Sequence, residues 1–119
     1  MNARDPLSLL PLTSLTYHVL LGLADADRHG YGIIKEVEEL TNGKVALETG
    51  TLYAAMKRMR DERLIELVPK SERPAEEDSR RRTYRLTTFG TQVLRAESDR
   101  LFHLLAIAAE KNVLPVAPA

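Results

Sequence analysis

Apolar residues recur along this chain at the three-to-four spacing of a helix in four stretches. The first follows Pro11, where Leu15, Val19, Leu20 and Leu23 share one face. Thr13 or Ser14 can cap it by accepting a hydrogen bond from a free N–H of the first turn. Asp25, Ala26, Asp27 and Arg28 break the pattern. A second helix is predicted from about Gly30, with Ile33, Ile34, Val37 and Leu40 inward and Lys35, Glu36, Glu38 and Glu39 outward. Thr41, Asn42 and Gly43 end it, because Asn and Gly tolerate the left-handed conformation that closes helices.

Lys44 to Leu47 alternates in polarity over a length that allows only a minor strand. Thr49 is the expected cap of a third helix. There Leu52, Met56 and Met59 follow at i, i+4 and i+7 with Ala55 beside them, which leaves Tyr53, Lys57 and Arg60 on the other face. Leu64 to Val68 and Thr83 to Leu86 read as strands, and the charged, proline-containing run from Pro69 to Arg82 makes them a hairpin with a long tip. From Thr88 the pattern is helical again to about Asn112. The order helix, helix, short strand, helix, strand, wing, strand, long helix predicts a mainly α chain with a small β-hairpin. It is a winged helix-turn-helix domain over residues 12–87, followed by a C-terminal helix over residues 88–113. That order alone does not separate winged helices that bind DNA from those that bind protein.

Composition narrows the function classes. A chain of 119 residues with 44% hydrophobic content has room for one modest core and no second domain. It has no cysteine, which excludes disulfides, thiolate zinc sites and a cysteine nucleophile and agrees with a reducing compartment. Met1 to Pro11 lacks the long apolar region and cleavage site of a signal peptide, and no apolar run approaches the roughly 20 residues that span a bilayer. A soluble, cytoplasmic protein with no membrane partner is expected. The 17 basic and 17 acidic side chains cancel, so nucleic-acid binding must rest on local patches. His18, His29 and His103 are scattered without metal-ligand spacing, carboxylates form no identifiable catalytic pair, and Gly30 and Gly32 lack the rest of a phosphate-loop pattern. No catalytic residue, metal or cofactor is expected, and the chain does not read as an enzyme.

Several motifs in order carry a resemblance. His29-Gly30-Tyr31-Gly32-Ile33, then Gly50-Thr51-Leu52-Tyr53 followed by Lys57-Arg58-Met59, then Leu64-Ile65, then Arg82-Thr83-Tyr84-Arg85-Leu86-Thr87 with Gly90, resemble the PadR-type regulators over about Leu12 to Leu105. Two positions depart from that family. Ala54 stands where proline usually follows the tyrosine, and Arg63 stands where glycine usually precedes the leucine-isoleucine pair. Alanine is an excellent helix former. A non-glycine residue with positive φ at Arg63 would cost about 1 kcal/mol or more. The resemblance implies a homodimeric, repressor-type regulator of a double-stranded DNA operator, with the third helix in the major groove, the wing on an adjacent groove or the phosphates, and the C-terminal helix making the dimer. Members of the family often respond to phenolic acids or other small hydrophobic compounds, which makes such an effector a candidate partner by analogy.

The residues themselves offer candidate contacts. Thr49, Tyr53 and Lys57 share a face at i, i+4 and i+8, so a hydroxyl, a phenol and an ammonium would point at one groove. Gly50 removes a side chain where backbone would come close, and the turn from Thr49 to Thr51 offers free N–H groups to a phosphate. An amphipathic helix with a merely solvated polar face would look the same. Arg80, Arg81 and Arg82 lie toward the base of the wing, away from Glu76, Glu77 and Asp78, where they can reach phosphate or a minor groove. Near the start of the second helix Lys35 is a candidate phosphate contact, while Tyr31 fits either that role or the core of the turn.

In the last helix Leu94, Leu101 and Ala108 recur every seven residues, and Phe102, Leu104 and Leu105 widen the stripe beyond what a small winged domain can cover. A second copy of the chain is the simplest cover, and folding back on Leu15 to Leu23 is the rival. Tyr17, Phe89 and Phe102 could line a small apolar site, or simply pack in the core or dimer. Two functions therefore stand: a sequence-specific DNA-binding repressor, and a winged-helix protein-interaction module without DNA binding.

Overall fold

A computed structural model describes residues 4–44, 47–72 and 82–115. A 3-10 turn, Pro6–Leu9, precedes α1 (Ser14–Gly22), β1 (Arg28–His29), α2 (Gly30–Leu40), α3 (Thr49–Asp61), β2 (Ile65–Leu67), β3 (Thr83–Leu86) and α4 (Thr88–Glu110). Thr13 caps α1 as its sequence suggests, its hydroxyl accepting the Thr16 N–H at 3.2 Å. The apolar stripes of the first three helices meet in one core: Val19 and Leu20 from α1, Ile33 and Val37 from α2, Leu52, Met56 and Met59 from α3. This is the winged helix-turn-helix arrangement, mainly α with a small sheet.

The sheet corrects one expectation. Its third described strand is β1, two residues in the stretch that reads as a break. Lys44 and Leu47 lie outside any strand, and Val45 and Ala46 fall outside the described residues. β3 is central and antiparallel to both neighbours, with His29 opposite Thr83 on one side and Glu66 opposite Arg85 on the other. Two residues show no periodicity of their own, so only pairing with β3 makes β1 a strand. Beyond the end of β2 the Val68 N–H still donates to the Thr83 carbonyl at 2.8 Å, which closes the base of the wing.

A second correction concerns the start of α3, where Glu48 is the cap residue, without a side-chain capping bond, and Thr49 is already helical. Its hydroxyl therefore does not close the helix end.

Three helices end in the same way. After α2, Gly43 N–H donates to Glu38 O at 2.7 Å; after α3, Leu64 N–H to Met59 O at 2.8 Å; after α4, Val113 N–H to Ala108 O at 3.0 Å. Each closure places a non-glycine residue in the left-handed region, Asn42 at φ 52°, Arg63 at φ 63° and Asn112 at φ 59°, and Gly43 at φ 77° follows Asn42. The positive φ expected at Arg63 is thus present, with its strain of about 1 kcal/mol. The payoff is packing, since the turn puts Leu64 into the core beside Met59.

The turn also seats α4. Thr87 caps that helix by accepting the Gly90 N–H at 2.8 Å, and its hydroxyl donates to the Arg63 carbonyl at 2.6 Å. Gly90 lies so close to the strand that a Cβ there would collide with the Leu64 carbonyl oxygen. From this anchor α4 sends Val93, Leu94 and Glu97 into the core region. Leu94 is only 7% exposed, so it belongs to the domain's own core, contrary to the expectation that it lines a free dimerisation face. The first half of α4 folds back on α1, where the Tyr17 hydroxyl and Ser98 Oγ lie 2.9 Å apart. The second half leaves Phe102, Leu104 and Leu105 exposed.

Candidate nucleic-acid interface

α3 offers a clean division of faces. Leu52, Ala55, Met56 and Met59 are each at most 1% exposed, while Thr49, Gly50, Thr51, Tyr53 and Lys57 are all accessible. Thr49, Gly50, Tyr53 and Lys57 share the free side of the helix, while Thr51, one turn before buried Ala55, is exposed only because it lies in the first turn. Because no side chain caps the first turn, its N–H groups remain open to water or to an anion. A Cβ at Gly50 would meet nothing within 4 Å, so nothing in the fold itself requires a glycine there.

Tyr53 does more than project. Its phenol lies on the first turn of α2, where a Cβ at Gly30 would collide with the hydroxyl and sit 2.8 Å from the ring carbon bearing it. Gly30 is needed for this approach, and the contact fixes the start of α2 beside the open face of α3. There His29 caps α2, Nδ1 accepting the Gly32 N–H at 3.1 Å, which requires the tautomer with the proton on Nε2. Tyr31 stacks on His29 at 6.4 Å between ring centroids, and the Lys35 ammonium lies 5.4 Å from the centre of the Tyr31 ring. Tyr31 is 59% exposed. The reading that put it in the core of the turn is therefore wrong: the space beneath α2 is filled by Ile33 and Val37, and the tyrosine orients Lys35 instead.

Lys57 pairs with Asp61 at 3.4 Å, but both side chains are largely exposed. Such a pair contributes under about 1 kcal/mol and exchanges readily for another anion. At the wing, Arg82 is accessible; Arg80 and Arg81 lie outside the described residues. Arg85 is not free for a ligand, since it bridges Glu66 at 3.1 Å and Glu72 at 3.2 Å and braces the two strands.

Two grooves flank these elements. One, of about 790 Å³, runs between the end of α3, β2 and the start of α4, with Lys57, Arg60, Arg63, Glu66 and Phe89 in its wall. The other, of about 600 Å³, is lined by Leu21, Leu86, Leu94 and Phe102 among others. Phe89 and Phe102 thus face different grooves and Tyr17 is engaged with Ser98, so the three aromatics do not form one site. Of the remaining positions expected to dimerise, Leu104 and Leu105 are exposed at 49% and 54%, and Leu101 and Ala108 are half-buried. Phe102, at 74%, extends that apolar surface.

Sequence reasoning missed Glu97, a carboxylate 1% exposed that accepts the Leu12 N–H and pairs with Arg100. The signal was there: Glu97 falls in the slot between Val93, Leu94 and Leu101 where the helical period calls for an apolar residue. Arg63, which the sequence marks as a turn residue, is also a cation in a groove. Among the described residues no helix is long and apolar enough to cross a membrane, and no three His, Cys, Asp or Glu could hold a metal ion.

A small winged domain with an unobstructed third helix and a partly uncovered long helix defines the class. Residues 19–96 match the Transcriptional regulator PadR-like family. The chain is similar to a PadR family transcription regulator from Clostridium difficile R20291, with a TM-score of 0.68 and 26% identity over 82% of this chain and 97% of that one. It is similar in fold to Bacillus subtilis PadR in complex with operator DNA, with a TM-score of 0.58 and 24% identity over 72% of this chain and 47% of that one. RosR of H. salinarum gives a TM-score of 0.61 and 26% identity over 93% and 84% of the two chains. An uncharacterized 37.1 kDa protein in transposon TN4556 of Streptomyces fradiae is 34% identical over 95 residues, 80% of this chain, which spans 25% of that protein's length. The chain belongs to the PadR-like family of transcriptional regulators.

Proposed function

We propose that this chain is a sequence-specific DNA-binding transcriptional repressor that acts in the cytoplasm as a homodimer, with α3 in the major groove and the wing on the backbone or an adjacent minor groove. The observation that carries this reading is the division of α3: its polar face is exposed over the whole row Thr49, Gly50, Tyr53, Lys57, while its apolar face is fully buried. A major groove about 12 Å wide admits such a helix without any unpacking of the core. The fold shared with B. subtilis PadR, whose structure contains operator DNA, supports the same reading.

Within it, Tyr53 and Lys57 read base edges, Gly50 lets the helix backbone approach, and the N–H groups from Thr49 to Thr51 meet a phosphate. Lys35 and the wing arginines, Arg80 to Arg82, hold the backbone. The half of α4 carrying Leu101, Leu104, Leu105 and Ala108 makes the dimer, and a small hydrophobic effector would enter the groove lined by Leu21, Leu86 and Phe102. Titration of labelled duplex from the region upstream of the chain's own gene, at two salt concentrations, tests the core of this reading. A repressor binds tightly and weakens steeply with salt, whereas a protein-interaction module shows no salt-dependent duplex binding.

A further inference from the structure

Arg63 occupies a backbone position that arginine does not favour. It sits at φ 63°, in the left-handed closure after α3, where side chains other than Gly, Asn and Asp are strained. At the matching positions after α2 and α4 the chain places Asn42 and Asn112. The closure itself needs only backbone groups: Arg63 N–H donates to Arg60 O at 2.9 Å and Leu64 N–H to Met59 O at 2.8 Å. The turn thus does not depend on the guanidinium.

Nor is the guanidinium held by a carboxylate. Among the described residues Arg63 makes no ion pair, and neither does Arg60, which shares the same groove. The two acids in the groove wall have other partners, Glu66 with Arg85 and Asp61 with Lys57 of the same wall. Glu62, next to Arg63 in sequence, faces Arg4. Backbone strain retained for a guanidinium with no ion pair or hydrogen bond among the described residues points outward to a ligand. Lys57 belongs both to the groove and to the open row of α3, so whatever lies on that row has the groove at its edge.

We infer that Arg63, with Arg60 beside it, is a positioning residue that grips the phosphodiester backbone of a duplex seated on α3, at the end of the helix opposite its N-terminal turn. This rests on the DNA-binding reading above and adds a contact to it. Guanidinium is suited to the task, since its planar fork matches two phosphate oxygens and it stays charged at any physiological pH. A phosphate grip carries no sequence information, so it strengthens binding to every duplex equally.

The test compares wild type, Arg63→Gly, Arg63→Asn and Arg63→Lys on the upstream duplex and on a mixed-sequence duplex, with Lys57→Ala as a reference. Gly and Asn both suit the left-handed turn, so neither should lower the melting temperature. We expect both to weaken binding to the two duplexes by the same factor and to reduce the slope of log affinity against log salt by about 0.9 for each protomer bound. Arg63→Lys should keep most of the slope. If wild type binds and Lys57→Ala weakens it while Arg63→Gly and Arg63→Asn keep full affinity and slope, the inference falls and the DNA-binding reading stands. If wild type shows no salt-dependent binding, both fall.

Discussion

The backbone N–H of Leu12 donates to the Glu97 carboxylate at 2.7 Å across 85 residues of sequence. This bond ties the segment entering α1 to the middle of α4, and Arg100, one turn on, completes the carboxylate's shell from the partly exposed side. Glu97 is a rare case of a charge admitted to a small core because both oxygens have partners.

That arrangement sets an acid limit on stability. The Arg100 guanidinium holds the Glu97 carboxyl below its ordinary value near 4.5; burial works against this, and the Leu12 N–H works with it. A carboxylate with a depressed folded pKa contributes fully above its unfolded value and loses that contribution as pH falls through the folded one. Melting temperature should therefore drop on acidification below about pH 4.5. In Glu97→Gln the drop should be shallower, and stability at neutral pH lower by about 1.5 to 3 kcal/mol, the range for hydrogen bonds to charged groups. Parallel acid limbs in the two proteins would refute this.

Gly90 and Gly50 should respond in opposite ways to the same change. A methyl group at Gly90 meets the Leu64 backbone, which the core holds in place, so Gly90→Ala must push α4 away from the strand. We expect a loss at or above the roughly 1 to 3 kcal/mol of an overpacked core. Gly50→Ala enters open space in the first turn of a helix and should stabilise, by less than the roughly 1 kcal/mol of a helix interior. If the backbone of α3 does approach DNA at that point, Gly50→Ala nonetheless weakens operator binding. Urea midpoints and duplex titrations on both variants decide the matter.

How much of this was legible beforehand varies with the range of the interactions involved. The first three helices announce themselves because cap residues such as Thr13 and stripes such as Leu52, Ala55, Met56 and Met59 are local signals. β1 is invisible locally, because Arg28 and His29 become a strand only by lying against β3. The division of α4 is hidden for another reason. Its apolar residues recur from Leu94 to Ala108 with only Glu97 in a slot of the stripe, yet Leu94 is buried under its own chain and Leu104 is half exposed. Periodicity shows that a face will be covered, not by what. The α3 row was readable as chemistry, but the bracing of Tyr53 on Gly30 joins two helices and no spacing rule reports it.

Tyr53 and Lys57 should both matter for DNA binding, with different effects on the fold. Lys57→Ala removes a largely exposed ammonium and should leave melting unchanged. Loss of a base contact would cost about 1 to 3 kcal/mol in operator affinity. Tyr53→Ala should lose comparable affinity and also lower the melting temperature slightly, because it uncovers Gly30. Tyr53→Phe separates the two, keeping the ring and removing the hydroxyl. Unchanged operator affinity in all three variants would take α3 out of the DNA interface.

Dimerisation through the far half of α4 should be a condition of DNA binding, and the exposure pattern selects the variant that shows it. Leu101 is half-buried in its own chain, so Leu101→Glu risks the fold as well as the dimer, whereas Leu104 is 49% exposed at the rim of a groove shared with Leu7 and Leu10, so Leu104→Glu disturbs its own chain less. A glutamate there would have to lose its water without gaining a partner, so the interface should open before the charge is buried. The consequence for DNA is large because the chain carries 17 basic and 17 acidic side chains and has little general attraction to a polyanion. Two domains held at fixed separation make the second contact intramolecular, which can raise affinity by about 10² to 10⁴. Leu104→Glu should thus run as a monomer with normal melting and lose operator affinity on that scale. Light scattering paired with an operator titration tests it, and a monomeric Leu104→Glu that binds a paired half-site duplex as tightly as wild type would end the dimer requirement.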